Sequence, residues 1–95
     1  MLQPLYFHKL DPEAKDPVRV HKKDAGIDLR SLHQVEIPSF QSRIISTGLS
    51  LWLPENTFGM ICSRSGLAAN NNLFVLNAPG IIDESYRGEI KVVLL

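Results

Sequence analysis

The segment from Arg43 to Leu53 alternates large apolar residues with small polar ones at a period of two. One face of this alternation consists of Ile45, Thr47, Leu49, Leu51 and Leu53. Small residues occupy the centre of the opposite face. Successive side chains of a β-strand point to opposite faces of its sheet, so the pattern predicts a long strand with one buried face. It is the clearest strand signal in the chain.

Shorter stretches of strand-like sequence lie on both sides of this segment. The further predicted strands are Leu2–Lys9, Val18–His21, Gln34–Ile37, Phe58–Cys62 and Glu89–Leu95. Near the end of the last one both faces are apolar, which predicts burial on both sides. Strands at spacings of about 8–12 residues, with Gly, Pro and Asn between them, are typical of a sandwich or barrel. Only Ser65–Asn70 favours a helix, and it spans little more than one turn.

Length and charge narrow the possible classes of protein. The 95 residues form at most one domain, 1–95, and their 44% apolar content is typical of a globular chain. Ten basic and ten acidic residues cancel, which argues against a nucleic-acid partner or an anionic membrane surface. No segment has the roughly 20 apolar residues of a membrane helix. With Cys62 as the single cysteine, we expect a cytoplasmic protein, with the nucleus as the alternative for a eukaryotic or viral source.

Three polar stretches do not fit a simple division into core and surface. The first is Asp24–Ser31, in which Gly26 permits a positive φ or a close backbone approach. Asp28 lies between Ile27 and Leu29, which predicts that its neighbours anchor it while its carboxylate points away from the core. Two interpretations remain open for Asp28: a functional carboxylate, or an ordinary turn or cap residue.

The second polar stretch, Ser63–Ala69, follows a predicted strand and opens the short helix. Backbone N–H groups at a helix start beside the Arg64 guanidinium favour a phosphate. The alternative is an ordinary helix start, capped by Ser65, with Arg64 solvated.

The third polar stretch, Asn77–Gly88, predicts a hairpin in which Gly88 begins the last strand. Asp83 lies where strand becomes turn and is a candidate to accept a proton. Tyr86 offers a flat face to a sugar or base and a hydroxyl for hydrogen bonding. The alternative is a hairpin tip that carries solvated charges.

Other kinds of catalytic centre find no support in the sequence. His8, His21 and His33 are scattered without the spacing of a tetrahedral metal site. The chain also contains neither a nucleophile elbow nor a phosphate-binding Walker loop.

Taken together, the three polar stretches resemble the first three signature motifs of the trimeric dUTPase family, in the same order and at the same spacing. The matching segments are Ala25–Leu29, Arg64–Ala68, and Asn77 with Gly80–Asp83 and Tyr86–Gly88. The resemblance extends over Leu2–Leu95. It implies an all-β distorted jelly roll (β-clip) and a homotrimer with active sites at subunit interfaces. It also implies Mg²⁺-assisted hydrolysis of dUTP to dUMP and pyrophosphate.

The resemblance gives roles to the polar residues of all three motifs. Asp83 matches the carboxylate that orients and deprotonates the attacking water. Asp28 matches an aspartate that holds hydrated Mg²⁺, and the resemblance implies that the contact runs through water. The phosphate-contacting group is matched by Arg64, Ser65 and Gly66.

The same resemblance gives roles in nucleoside recognition. Asn77 matches the residue that contacts uracil, and the base is also read by main-chain groups of Gly80, Ile81 and Ile82. Tyr86 matches the aromatic residue under the sugar, which leaves no room for a ribose 2′-hydroxyl. Lys91 lies on the returning strand and is expected to line the same site. In the family, the third and second motifs of one site come from different subunits.

The chain departs from the family pattern in two respects. Ser85 stands where the family often has a second aspartate. The family also continues with a further phosphate motif and a glycine-rich arm bearing an arginine, so we expect a domain without its C-terminal strands. A non-catalytic binding or signalling module and an inactive truncated copy therefore remain alternatives. A dCTP deaminase, which shares the fold, is disfavoured by the form of Arg64–Ala68.

Overall fold

The computed structural model describes residues 4–95. Its elements, in chain order, are β1 (Tyr6–Lys9), β2 (Arg43–Ser46), β3 (Leu49–Trp52), β4 (Gly59–Ile61), α1 (Ser65–Asn71), β5 (Gly80–Ile82) and β6 (Lys91–Leu94). The strands pair antiparallel as β1 with β3, β2 with β6, and β4 with β5. The all-β class with a single short helix is confirmed for this part of the chain. The start of the predicted first strand, Leu2 and Gln3, lies outside the described residues.

The long predicted strand is interrupted at Gly48, where the backbone has φ of 73°. Glycine adopts this left-handed conformation without strain, whereas other residues rarely do. A Cβ at this position would also lie 2.9 Å from the Cβ of Ala14. The prediction of one continuous strand was therefore wrong, and β2 and β3 belong to different strand pairs.

The face predicted to be buried is buried on both sides of this interruption. Ile45, Thr47, Leu49 and Leu51 are buried, and Leu53 is partly buried. At the centre of the core Leu51 packs with Ile82 and Ile90. Because Ile82 precedes Asp83 and Ile90 precedes Lys91, the core fixes the chain on both sides of the segment from Asp83 to Glu89.

That third stretch is not the predicted hairpin, since β5 pairs with β4 and β6 pairs with β2. In the β4–β5 pair each glycine faces an isoleucine, with Gly59 opposite Ile82 and Gly80 opposite Ile61. A Cβ on Gly59 would lie 3.1 Å from the Cβ of Ile82. The glycines thus allow β5 to approach β4 closely. The segment after β5 crosses to another sheet, in which β6 pairs with β2.

Two other predicted strands are largely absent from the described structure. Val18 forms an isolated bridge with Asp28, and the two residues exchange backbone hydrogen bonds of 3.0 and 2.7 Å. Gln34–Ile37 forms no strand, and Val35 is 44% exposed. No helix in the described residues is long and apolar enough to cross a membrane.

The helix and the last strand follow the sequence prediction closely. Helix α1 ends at Asn71, and Asn72 adopts the left-handed conformation at its C-cap, with φ of 53°. Short polar side chains such as asparagine tolerate this conformation, which explains why the asparagine run ends the helix. In β6, Val92, Val93 and Leu94 are all partly buried. The apolar side chains on both faces of this strand are therefore covered in part.

Candidate active site in two pockets

Asp83 and Tyr86 form the two ends of one tight turn. The backbone N–H of Tyr86 donates to the carbonyl oxygen of Asp83 at 3.0 Å, which is the hydrogen bond of a four-residue turn. The Arg87 guanidinium donates to the carbonyl oxygen of Glu84 at 2.7 Å inside the same turn. Since buried Ile82 precedes it, the turn begins from a fixed point in the core.

The ring of Tyr86 is held by the main chain that follows it. Its hydroxyl donates to the carbonyl oxygen of Glu89 at 2.8 Å. A Cβ on Gly88 would lie 2.5 Å from this hydroxyl oxygen. Glycine is therefore needed at position 88 for Tyr86 to lie against the chain, while 45% of Tyr86 remains exposed.

These residues border a pocket of about 240 Å³, called here the Asp83 pocket. Its lining consists of Ile61, Ile81, Ile82, Asp83, Tyr86, Glu89, Ile90 and Lys91. Five predicted site residues are thus brought together on one side of the chain: Ile81, Ile82, Asp83, Tyr86 and Lys91.

The outer side of the turn is held by the end of β3 and by the loop that follows it. The Glu84 carboxylate accepts the backbone N–H of Asn56 at 2.5 Å. The Arg87 guanidinium carbon lies 4.3 Å from the centre of the Trp52 ring, within the range of a cation–π contact. The turn that carries Asp83 is therefore attached on both sides.

Asp28 and Arg64 meet in a second pocket. A guanidinium nitrogen of Arg64 lies 3.7 Å from a carboxylate oxygen of Asp28. They border a pocket of about 200 Å³, called here the Arg64 pocket, with a largely apolar floor that includes Leu29, Phe74 and Val92. The bridge to Val18 holds the backbone of Asp28 in place.

The start of helix α1 lies open beside Arg64. Arg64 itself is the N-cap residue, and within the described chain no side chain caps this helix. The alternative that Ser65 is an ordinary N-cap is therefore wrong. No atom lies within 4 Å of a Cβ built on Gly66, so the backbone there is accessible.

The two pockets are separate within one chain. Ile61 of β4 is the residue that lines both, and Asp83 and Arg64 lie in different pockets. Asn77 and Gly80 are not among the residues that line either pocket. The Asn77 amide nitrogen lies 3.7 Å from a Cβ built on Gly80, so Asn77 is beside the start of β5. A single chain therefore does not unite all the predicted site residues.

Sequence reasoning missed two residues that hold the Asp83 pocket in shape. Glu89 is partly buried and its carboxylate accepts the backbone N–H of Gly48 at 2.9 Å. The hydroxyl of buried Thr47 donates to the carbonyl oxygen of Ile90 at 2.6 Å. The position of Glu89 at the start of a predicted apolar strand could have indicated a structural role. Its partner, Gly48, is distant in the sequence and could not be predicted.

The donor groups fit a weakly held Mg²⁺ ion better than a metal bound by protein alone. Across residues 4–95 there is no group of three or more His, Cys, Asp and Glu side chains placed to hold a metal. Mg²⁺ commonly keeps several waters and is held by one or two carboxylates together with substrate phosphates. Asp28, partly buried beside Arg64, fits such a contact through water.

Comparison with known proteins decides the family. The dUTPase family model matches residues 12–95. This chain belongs to the dUTPase family. The deoxyuridine 5′-triphosphate nucleotidohydrolase of Crocosphaera subtropica is 51% identical over 87 residues, which are 92% of this chain and 61% of that protein. The enzyme of the same name from Clostridium kluyveri is 44% identical over 91 residues, or 96% of this chain and 64% of that protein.

Solved dUTPase structures share the fold of this family member. A mutant dUTPase from phage phi11 of S. aureus, described for its coordination of a structural Mg(II) ion, matches with a TM-score of 0.88 at 30% identity. The match covers 97% of this chain and 59% of that one. A mutant of Staphylococcus bacteriophage 80alpha dUTPase with dUpNHpp gives a TM-score of 0.89. The chain spans about three-fifths of the length of the curated relatives it matches.

Proposed function

We propose that this protein hydrolyses dUTP to dUMP and pyrophosphate. The observation that carries the proposal is the turn from Asp83 to Tyr86, which sets a carboxylate and an aromatic ring on the border of one pocket. Relatives at 44–51% identity carry the name of this activity. A carboxylate and a ring suit the two tasks of the reaction, proton transfer and sugar recognition.

Asp83 is proposed to take the proton from the attacking water. A general base must lie within hydrogen-bond reach of the proton that it accepts, and Asp83 is exposed on the pocket border. The water oxygen forms a bond to the α-phosphorus, and the bond from that phosphorus to the bridging oxygen breaks. Pyrophosphate then leaves, and the water proton stays on Asp83. The turn uses only the main chain of Asp83, so closing it does not engage the carboxylate.

Selection for deoxyuridine is proposed to come from β5 and Tyr86. In the described part of the chain β5 pairs only with β4, so its other edge offers backbone donors and acceptors. These groups, with the Asn77 amide, can hydrogen-bond uracil, and a mismatched base would leave buried polar groups unpaired. The fixed ring of Tyr86 would lie under the deoxyribose and exclude a 2′-hydroxyl.

Arg64, Ser65 and Gly66 are proposed to bind the triphosphate. The Arg64 side chain is 64% exposed, and ion pairs this exposed contribute little stability. Arg64 can therefore exchange the Asp28 carboxylate for a phosphate, which a guanidinium binds through two parallel hydrogen bonds. Mg²⁺ bound with the triphosphate would spread its negative charge, and Asp28 would hold the ion through water.

We further propose that the complete site forms between subunits of a homotrimer. Asp83 and Arg64 line different pockets of one chain, so a neighbouring subunit would bring Arg64 to Asp83. Large apolar side chains also remain exposed, among them Ile44 at 69%, Tyr6 at 66% and Phe58 at 59%. Extensive exposed apolar surface is typical of a protein that assembles.

The experiment is a substrate panel with the intact protein. Pyrophosphate release is followed in Mg²⁺ buffer with dUTP, UTP, dCTP and dTTP. We expect turnover of dUTP and little turnover of the others. Saturable dUTP binding by calorimetry without turnover would instead identify a binding module, and ammonia release from dCTP would identify a deaminase.

A further inference from the structure

Glu89 makes two hydrogen bonds that point in different directions. Its carboxylate accepts the backbone N–H of Gly48 at 2.9 Å. Its carbonyl oxygen accepts the hydroxyl of Tyr86 at 2.8 Å. One residue therefore connects the interruption between β2 and β3 to the aromatic ring of the Asp83 pocket.

The N–H of Gly48 needs such an acceptor. Gly48 is buried, and its left-handed backbone interrupts the strand. A buried N–H group without a partner is strongly unfavourable, so nearly all are paired. The Gly48 carbonyl accepts the N–H of Leu10 at 2.8 Å, and the Glu89 carboxylate accepts the N–H of Gly48.

Neighbouring bonds fix the same stretch of backbone. The N–H of Ile90 donates to the carbonyl oxygen of Leu49 at 2.7 Å, and the Thr47 hydroxyl donates to the carbonyl oxygen of Ile90 at 2.6 Å. The Ile90 N–H and the Glu89 carbonyl belong to one planar peptide group, so the bond to Leu49 holds this group from one side and the Glu89 carboxylate holds it from the other. Loss of the Glu89 carboxylate would leave this peptide group attached only through Ile90, so that it could tilt and move its carbonyl oxygen away from the Tyr86 hydroxyl while Ile90 stayed in the core.

We propose that Glu89 is a positioning residue for the sugar subsite. Its carboxylate attaches the backbone at position 89 to Gly48, so that its carbonyl oxygen holds the Tyr86 hydroxyl and keeps the ring on the border of the Asp83 pocket. This inference rests on the proposed dUTP hydrolysis. It requires an acceptor of the right length at position 89 and does not require a negative charge.

The test compares Glu89→Ala with Glu89→Gln in the intact protein, with kcat and KM measured for dUTP and UTP. The glutamine amide keeps an oxygen that can accept the Gly48 N–H, whereas alanine removes it. For Glu89→Ala we expect the dUTP-over-UTP ratio of kcat/KM to fall about tenfold, mainly through a higher KM for dUTP. For Glu89→Gln we expect the ratio to stay within about twofold of wild type.

Two results overturn the proposal. If Glu89→Ala lowers turnover of both nucleotides equally and leaves the ratio unchanged, Glu89 acts only on folding. If Glu89→Gln loses selectivity as Glu89→Ala does, the charge matters and not the acceptor. Wild-type turnover is measured alongside: no dUTP hydrolysis there rejects the proposed function itself, whereas turnover with an unchanged ratio in Glu89→Ala rejects only the role of Glu89.

A second variant keeps the proposal testable if Glu89→Ala does not fold. Tyr86→Phe removes the hydroxyl that the Glu89 carbonyl accepts and leaves the Glu89 side chain intact. We expect the dUTP-over-UTP ratio to fall in this variant as well, since the ring loses its hydrogen bond. Full selectivity in Tyr86→Phe would contradict the proposal.

Discussion

The N–H of Tyr86 donates to the carbonyl oxygen of Asp83 at 3.0 Å, so the proposed base and the proposed sugar platform are the ends of a single turn. Their relative placement is therefore set by local chain geometry and does not depend on assembly. The group proposed to bind phosphate, at Arg64, lies in a different pocket. One half of the proposed site is thus built locally, and we propose that a second subunit supplies the other half.

The separation of the pockets predicts complementation between inactive subunits. Asp83→Asn and Arg64→Ala should each be inactive, because each removes one half of the site. In mixed trimers some sites combine an intact Asp83 from one subunit with an intact Arg64 from another. Random mixing restores about one quarter of the sites when each site uses two neighbouring subunits in a ring.

The measurement is dUTP hydrolysis after the two variants are unfolded together and refolded. Each variant refolded alone is the control. Absence of recovered activity in a mixture shown to contain hybrid trimers would place both groups of a site in one subunit.

Replacement of Gly88 should affect substrate binding more than folding. In Gly88→Ala the new Cβ would lie 2.5 Å from the Tyr86 hydroxyl oxygen, which is the far end of a side chain that can move. We expect Tyr86 to shift, the KM for dUTP to rise and the melting temperature to change little. Gly26→Ala, where the Cβ meets no atom within 4 Å, is the matched control. An unchanged KM in Gly88→Ala would show that the position of Tyr86 is unimportant.

The buried hydroxyl of Thr47 should contribute measurably to stability. It donates to the Ile90 carbonyl and accepts the Leu49 N–H at 3.2 Å. Thr47→Val keeps the shape but leaves these groups unpaired, and each buried unpaired group costs about 1–3 kcal/mol. Thr47→Ser keeps the hydroxyl and should lose only about 1 kcal/mol for the missing methyl group. Urea unfolding of the intact protein measures the free energy of unfolding of both variants. Equal losses in Thr47→Val and Thr47→Ser would exclude the hydrogen bonds as the cause.

Asp28 should affect the requirement for Mg²⁺. Asp28→Asn removes the charge of the carboxylate beside Arg64 and should raise the Mg²⁺ concentration for half-maximal activity about tenfold, as loss of an outer metal contact commonly does. A Mg²⁺ titration of dUTP hydrolysis measures this shift, with Asp24→Asn as a control at a carboxylate that caps a turn through His21. An unchanged Mg²⁺ requirement in Asp28→Asn would remove Asp28 from the metal site.

The sequence was most informative where the local pattern determines the result. The alternation from Ile45 to Leu51 identified the buried face, and the asparagine run identified the end of helix α1. Both depend on neighbouring residues alone. The three motifs likewise identified the family, because their residue types and spacing can be recognised without knowing which strands pair.

The wrong predictions of the long strand and of the hairpin both concern contacts between distant segments. Gly48 was read as one small residue of a strand, because the partners that surround it, Ala14 and Glu89, are remote in sequence. The hairpin prediction assumed that consecutive strands pair, whereas the glycine–isoleucine register joins β5 to β4. The residue roles assigned to the site stay predictions, since Arg64 and Asp83 line different pockets of one chain.

The most direct test of the account is pyrophosphate release from dUTP by the intact protein and its Asp83→Asn variant. Asparagine has nearly the same shape and leaves the main-chain turn to Tyr86 intact, so the fold and nucleotide binding should persist. Removal of the general base should lower kcat by about 10²–10⁴-fold. Equal rates for the wild type and Asp83→Asn would contradict the assignment of Asp83 as the base and, with it, the proposed mechanism.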